Sequence, residues 1–507
     1  MKWLILRIYP FLIACYPVLA LRNYNILYVD LASIIRTLLI VLFLTAAIWI
    51  LVKVFVFRDW DKAGVVTSMV MILILSYGHI HIQSERIFGE QVRHSFLIIA
   101  LGSIFILGAW LAIRTRSALE VVGNFLATVA VVLVLMTTFQ SIYYEYGAFQ
   151  LAKALSDERD QPSPVISGSA SGPDIYLIVL DAHGRADVLL EKYGYDSSEF
   201  LQELTDLGFY VAGCSQSNYA STNLSLTSLL QMDYLPVAQS NAAKLPPLKE
   251  SAVLRTLDRN GYTVITFETR TGGHFDLQED IRLAHNQLAF GELNLMSGLN
   301  EFETVVLHTS ITRFFLDTQL IPGFNTDSLT KFEDYEHYQQ TQFILSKMQE
   351  VPAMKSPKFV LVHILVPHSP FVFTSDGSFR YPEDTSRKGY HDNAAFIDRS
   401  ILTSIRAILD RSERPPVILL MGDHGPPPGR FATQADRLTI LNAYYVSDDM
   451  KAKLYDSISP VNSFRLILNQ YFDEDYPLLE DVSYAAYKMK QLGDAPVVEN
   501  TCTSAKR

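Results

Sequence analysis

Residues 174–184 read Asp174-Ile175-Tyr176-Leu177-Ile178-Val179-Leu180-Asp181-Ala182-His183-Gly184, and they decide how the rest of the chain is organised. An unbroken apolar run rich in Ile, Leu and Val, without polar alternation, suits a strand buried on both faces of a parallel sheet. Three further runs of this kind follow, Tyr262–Phe267, Phe359–Leu365 and Val417–Met421. Between and beside them lie amphipathic stretches, among them Glu199–Leu207, Ala252–Arg259, Tyr338–Glu350 and Ala394–Leu409. This alternation predicts an α/β sandwich, a mostly parallel central sheet flanked by helices. In such sheets the chemistry gathers outside the carboxyl ends of the strands.

Those ends carry reactive groups. The first strand runs into Asp181, the third into Val362-His363-Ile364-Leu365-Val366-Pro367-His368-Ser369-Pro370, and the last into Gly422-Asp423-His424-Gly425. The hydroxyl-rich segment Ser217–Leu230 reads as a loop entering a helix near Thr222. Each element has a plain alternative: an acid after a strand often closes a turn, and Thr222 fits a helix N-cap. Their placement on one rim of one sheet is what favours a shared site. His183 and His274 are loop histidines that fit either a pocket wall or ordinary packing, and Asn218 fits a substrate contact or an Asx turn.

The first 150 residues are different. Of a chain that is 49% hydrophobic, five apolar stretches take much of the share, at about 3–21, 37–57, 63–82, 95–113 and 119–139. Each approaches the roughly 20 residues that a helix needs to cross a bilayer. The first, interrupted by Arg7, Pro10 and Pro17, also reads as a signal peptide ending near Val18-Leu19-Ala20. Lys53, Arg58 and Lys62, then Arg114 and Arg116, enrich alternate loops in positive charge, which orients those loops toward the cytoplasm. Either reading of the first stretch then puts everything after residue 140 outside. Tyr143, Tyr144 and Tyr146 fit an interfacial belt. The expected division is a transmembrane bundle of about five helices at 1–145, a linker at 146–173, a catalytic domain at 174–490 and a tail at 491–507. The bundle serves either as a plain anchor or as a presenter of lipid.

A net charge of −11 without basic runs argues against nucleic acid as a partner. Three cysteines exclude a disulfide scaffold. Cys214 and Cys502 fit either a bridge in an oxidising compartment or two free thiols, the plainer reading.

With these residues in place, the soluble half resembles the alkaline phosphatase/sulfatase superfamily. Within it the chain is most similar to the five-span lipoteichoic acid synthases and phosphoethanolamine transferases. Asp181 matches the acidic metal ligand after the first strand, and Asp423-His424-Gly425 matches the turn that closes the metal site. Thr222-Asn223-Leu224-Ser225 matches the nucleophilic Thr followed by Ser. His363 and His368 fall where the transferases carry histidines near the leaving group. The chain departs from the Cys/Ser-x-Pro-x-Arg motif of sulfatases, with Thr222, Leu224 and Leu226 in those places, and Ala182 replaces a second acid.

The resemblance implies one divalent ion held by Asp181, Thr222, Asp423 and His424, with Mn or Zn favoured and Mg or Ca as alternatives. It implies a phosphothreonine on Thr222, with His368 and His363 binding phosphoryl oxygens or protonating the departing alcohol. The expected reaction moves a phosphoglycerol- or phosphoethanolamine-type head group from a phospholipid to an extracytoplasmic glycan or lipid. Hydrolysis by a sulfatase or phosphodiesterase of the same superfamily is the alternative, and an inactive scaffold the third reading. Ser221 is the rival nucleophile.

Overall fold

The opening run forms β1 (Ile175–Leu180), and every residue of it is buried. It lies between β5 (Lys358–Ile364) and β6 (Val417–Met421), both parallel to it. The sheet continues through β3 (Thr263–Phe267) and β4 (Ile281–Leu283) on one side. On the other side β7 (Asn442–Tyr445) and β2 (Tyr210–Val211) pair antiparallel. The order is β2-β7-β6-β1-β5-β3-β4. The four runs expected as strands are all strands, shifted by no more than a residue at their ends. The expected α/β sandwich therefore forms, with the short antiparallel strands confined to one edge.

The reason for an unalternating sequence is visible in β1. Ile175, Leu177 and Val179 enter one hydrophobic core, while Tyr176, Ile178 and Leu180 enter a second core on the opposite face. Helices cover both faces, among them Thr222–Gln231 and Pro460–Tyr471 on the first, and Thr326–Met348 and Arg387–Arg411 on the second.

The structure, a computed structural model, describes residues 2–25, 29, 32–88, 92–114, 117–157, 172–236, 245, 248–268, 277, 279–283, 301–318, 320–321, 326–381, 387–500 and 502. His274 lies outside them, as do residues 158–171 of the expected linker and the side chain of Tyr144. The chain forms two units.

The first unit is helical, with α1 (Lys2–Tyr24), α2 (Ile35–Val52), α3 (Trp60–Phe88), α4 (His94–Arg114) and most of α5 (Ser117–Asp157). Among the described residues, four helices, spanning Ile35–Phe57, Trp60–Phe88, His94–Leu111 and Val121–Tyr143, are long and apolar enough to cross a membrane. Many of their large apolar side chains are exposed, including Phe43, Phe55, Phe96, Ile99 and Phe125. α1 packs Ala14 and Val18 against Met71 and Leu75 of α3.

Two features differ from the division expected from sequence. α5 continues to Asp157, into the stretch expected as linker. The described residues of 301–332 group with the helical unit instead of the catalytic one. Within that unit the helices Glu301–Thr309 and Thr312–Thr318 pack on α3, where Ile311 N donates to Ile74 O at 2.6 Å. A Cβ at Gly78 would collide with the backbone of His308 and Thr309, so glycine permits the approach. Arg36 of α2 forms a two-pronged ion pair with buried Glu303.

The second unit is closed by a covalent bond. Cys214 and Cys502 form a disulfide, which corrects the plainer reading of two free thiols. Asn500 Nδ2 donates to Cys214 O at 2.6 Å, and Val498 N donates to Ser483 O at 2.8 Å, so the tail packs on the domain.

Candidate active site and metal centre

β1, β5 and β6 are adjacent and parallel, so their carboxyl ends meet on one rim. Asp181 follows β1 directly, and its N–H extends the ladder by donating to Ile364 O at 2.9 Å. His363 is the penultimate residue of β5. Asp423 and His424 follow β6 after Gly422. A Cβ on Gly422 would strike His183 O, and one on Gly425 would strike the carbonyls of Asp436 and Thr439. Glycines on both sides thus let the Asp-His turn enter a space closed by backbone. The β1 turn is also constrained, because Ala182 adopts a left-handed φ of 65°. Its N–H donates to Asp423 Oδ1 at 3.0 Å, tying the two acidic turns together.

The two acids and one histidine converge closely. Oxygen and nitrogen atoms of Asp181, His363 and Asp423 lie within 4.8 Å of one another, and all three residues are buried. His363 Nε2 stands 3.2 Å from Asp181 Oδ2. His424 Nε2 is 3.5 Å from Asp423 Oδ2, 3.7 Å from Asp181 Oδ1 and 3.5 Å from Thr222 Oγ1. Thr222 is the first residue of the helix Thr222–Gln231, with Ser221 at the N-cap. The helix start presents backbone N–H groups and the positive end of its dipole. The ring of His368 lies 6.4 Å from that of His424, and its Nδ1 faces Ser369 O at 2.6 Å. All six residues singled out in the sequence therefore reach one place, with Thr222 and His368 half-buried and the other four buried.

A divalent cation fits this donor set. Asp181 Oδ1 and Asp423 Oδ2 are buried and accept no hydrogen bond among the described residues. Buried carboxylate oxygens left unpaired are costly unless a cation or proton meets them. Burial by itself would raise the Asp181 carboxyl, but His368, the hydrogen bond from His363 and nearby His424 outweigh it and hold it well below the carboxylate range. Burial pulls His363 down, yet its bond to Asp181 and the charge of Asp423 leave it raised. His424 is lowered by burial, with Arg437 adding to the effect against the opposing acids. Its Nδ1 meets Gly425 O at 2.9 Å, which leaves the lone pair on Nε2, toward the acids and Thr222.

Arg437 was not singled out in the sequence. Its guanidinium donates to His424 Nε2 at 3.0 Å and to Ala220 O at 2.7 Å, just before Ser221 and Thr222. No motif marks it: it comes from the short 3₁₀ turn Asp436–Leu438, and only the fold brings that turn to the rim. The secondary candidates resolve differently. His183 is buried and bound to Asp398 at 2.7 Å, and Asp398 also accepts from Tyr195. Asn218 is fully buried and bonds to Ser459, Val461 and Val482, holding a loop together. Ser225 Oγ donates to Tyr219 O at 2.9 Å and orders the turn before the helix.

Comparison with known proteins places the second unit. A family model described as Sulfatase matches residues 173–458. No curated protein matches the chain. Among solved structures, the C-terminal periplasmic domain of EcEptC from Escherichia coli, in complex with Zn, is similar at 15% identity and a TM-score of 0.39. That match covers 60% of this chain and 84% of the other. Lipooligosaccharide phosphoethanolamine transferase A from Neisseria meningitidis, an integral membrane protein, is similar at 14% identity and a TM-score of 0.38, covering 92% and 94%. The lipoteichoic acid synthase LtaP from Listeria monocytogenes is similar at 14% identity and a TM-score of 0.38, covering 63% and 77%.

Proposed function

Because the chain belongs to the sulfatase family, we propose that it is a membrane-anchored, metal-dependent transferase that carries a phospholipid-derived phosphoryl head group on Thr222. The observation that carries the reading is the position of Thr222 Oγ1, 3.5 Å from His424 Nε2 and beside the buried Asp181, His363 and Asp423 cluster. A hydroxyl at a helix start next to paired acids is placed for activation and attack. The four membrane-length apolar helices favour a lipid donor over a soluble one.

Asp181 and Asp423, with Thr222 and either His424 or His363, are the groups that would hold the cation, Mn or Zn by donor type. When bound it supplies Lewis-acid charge to the hydroxyl and to phosphoryl oxygens. The chain's own residues do the rest. Where His363 takes the cation, His424 Nε2, 3.5 Å from Thr222 Oγ1, exchanges its hydrogen bond from Arg437 for the hydroxyl proton as oxygen attacks phosphorus. The N–H groups at the start of the helix receive the equatorial oxygens. His368, half-buried like Thr222, delivers a proton to the departing diacylglycerol oxygen. A second hydroxyl, from an extracytoplasmic glycan or lipid, then takes the group from Thr222. The catalytic unit is read as extracytoplasmic, with α2 to α5 in the cell membrane. Loop charge supports that side, and so does the disulfide, which persists in oxidising compartments.

Hydrolysis is the second reading, favoured by the Sulfatase match itself. In that case water is the acceptor and the same residues serve. The deciding experiment incubates purified full-length protein with phospholipid vesicles and Mn or Zn, and follows the Thr222 peptide by mass spectrometry. A head-group phosphate on that peptide, lost in Thr222→Ala and accompanied by diacylglycerol release, supports the transferase. Free head-group phosphate accumulating with no acceptor product moves the assignment to hydrolysis. Neither adduct nor metal-dependent lipid product would overturn the phospholipid donor.

A further inference from the structure

A second cluster of donor atoms lies in the helical unit. His81 is near the end of α3, His94 opens α4, and Asp317 belongs to the helix Thr312–Thr318. Their donor atoms lie within 4.8 Å of one another. The two imidazoles stack at 4.0 Å with an interplanar angle of 11°. His94 Nε2 faces Asp317 Oδ2 at 3.2 Å. His81 is 2% exposed, and neither of its ring nitrogens makes a hydrogen bond among the described residues. The Glu85 carboxylate comes within 3.3 Å of His81 Nδ1, and Arg313 lies beside both Glu85 and Asp317.

We propose that His81, His94 and Asp317 form a second metal site, for a borderline transition ion of the Zn(II) type, at the loop-side end of α3 and α4. Neutral imidazole is the form that binds metal. Two imidazoles and a carboxylate suit Zn(II) far better than Mg or Ca. Tyr77 Oη lies 2.9 Å from His94 Nδ1, behind the proposed ligand atom. A phenol both donates and accepts, so it keeps this bond whichever tautomer frees Nε2 for the ion. Glu85 is placed to serve as a fourth donor. His94 and Asp317 retain some exposure, which gives the ion a route from solvent. The site would pin the helix Thr312–Thr318 to α3 and α4, and it stands independently of the reading of Thr222.

The test strips full-length protein in detergent with a chelator, dialyses it against Zn(II) and measures bound zinc per chain by mass spectrometry. Wild type is expected to hold two equivalents, His81→Gln one, Asp423→Asn one, and the double variant none. The exposed change Asp317→Asn repeats the test without a buried substitution and is expected to hold one. Zinc is also expected to raise the Tm of Asp423→Asn and to leave that of the double variant unchanged. If Asp423→Asn holds no zinc, or if both His81→Gln and Asp317→Asn bind as much as wild type, the site does not exist.

Discussion

Asp181, Asp423 and His424 show how much a few side chains declare about themselves. Each stands next to a strand end, and a rule about strand ends was enough to gather them on one rim. Arg437 had no such rule. Its importance comes from a turn that the sheet order delivers to the rim, and spacing along the chain carries no trace of that. Arg437→Gln is expected to lower turnover by about ten- to a hundredfold, the range for one hydrogen bond to a charged partner. A steady-state assay of lipid product would read it, and a normal melting profile would show that the fold survives. Thr222→Ala is expected to remove activity by at least about a thousandfold, whereas Thr222→Ser should recover part of it. Equal loss in both variants would point to a structural role for the methyl group. Gly422→Ala belongs to the same scale. Its new methyl meets His183 O, backbone that has little room to give. A loss of about 1–3 kcal/mol or more is expected from denaturant unfolding of the purified protein.

Elements were legible in proportion to how uniform their surroundings are. β1, β5 and β6 are buried on both faces, so an apolar run had one reading. β2 and β7 were invisible beforehand because two to four residues at an antiparallel edge carry no periodicity. The start of β5 holds an exception, since Lys358 is fully buried at the head of a central strand. Its ammonium is 2.5 Å from Asp174 and also donates to the carbonyls of Pro352 and Met354. This cluster stitches β1 to β5 where both begin. Asp174→Ala leaves a buried cation short of its partner, and a loss of about 3–5 kcal/mol is expected in equilibrium unfolding. Lys358→Met with Asp174→Asn should recover most of it. A double variant no better than Asp174→Ala would show that the cluster, and not its charge balance, sets the stability.

At the scale of the molecule, the division into an apolar half and a soluble half was plain from composition. The pairing of Cys214 with Cys502 was not, because 288 residues separate them and only the folded domain brings their Cα atoms to 5.5 Å. Cys502→Ser is expected to cost about 2–4 kcal/mol, and non-reducing peptide mapping of wild type should recover the linked pair. The return of residues 301–318 to the helical unit was equally hidden, since short helices of mixed polarity resemble those of any soluble domain. That return decides where the gene can be cut. A fragment begun just before β1, the customary route to a soluble form of a tethered enzyme, would delete α3 and keep the two helices that pack on it. Phe302 and Leu316, now 3% and 1% exposed, would meet water, and such a product should self-associate on a sizing column. Expression of the catalytic half therefore requires that the segment between β4 and the helix starting at Thr326 be replaced by a short polar bridge.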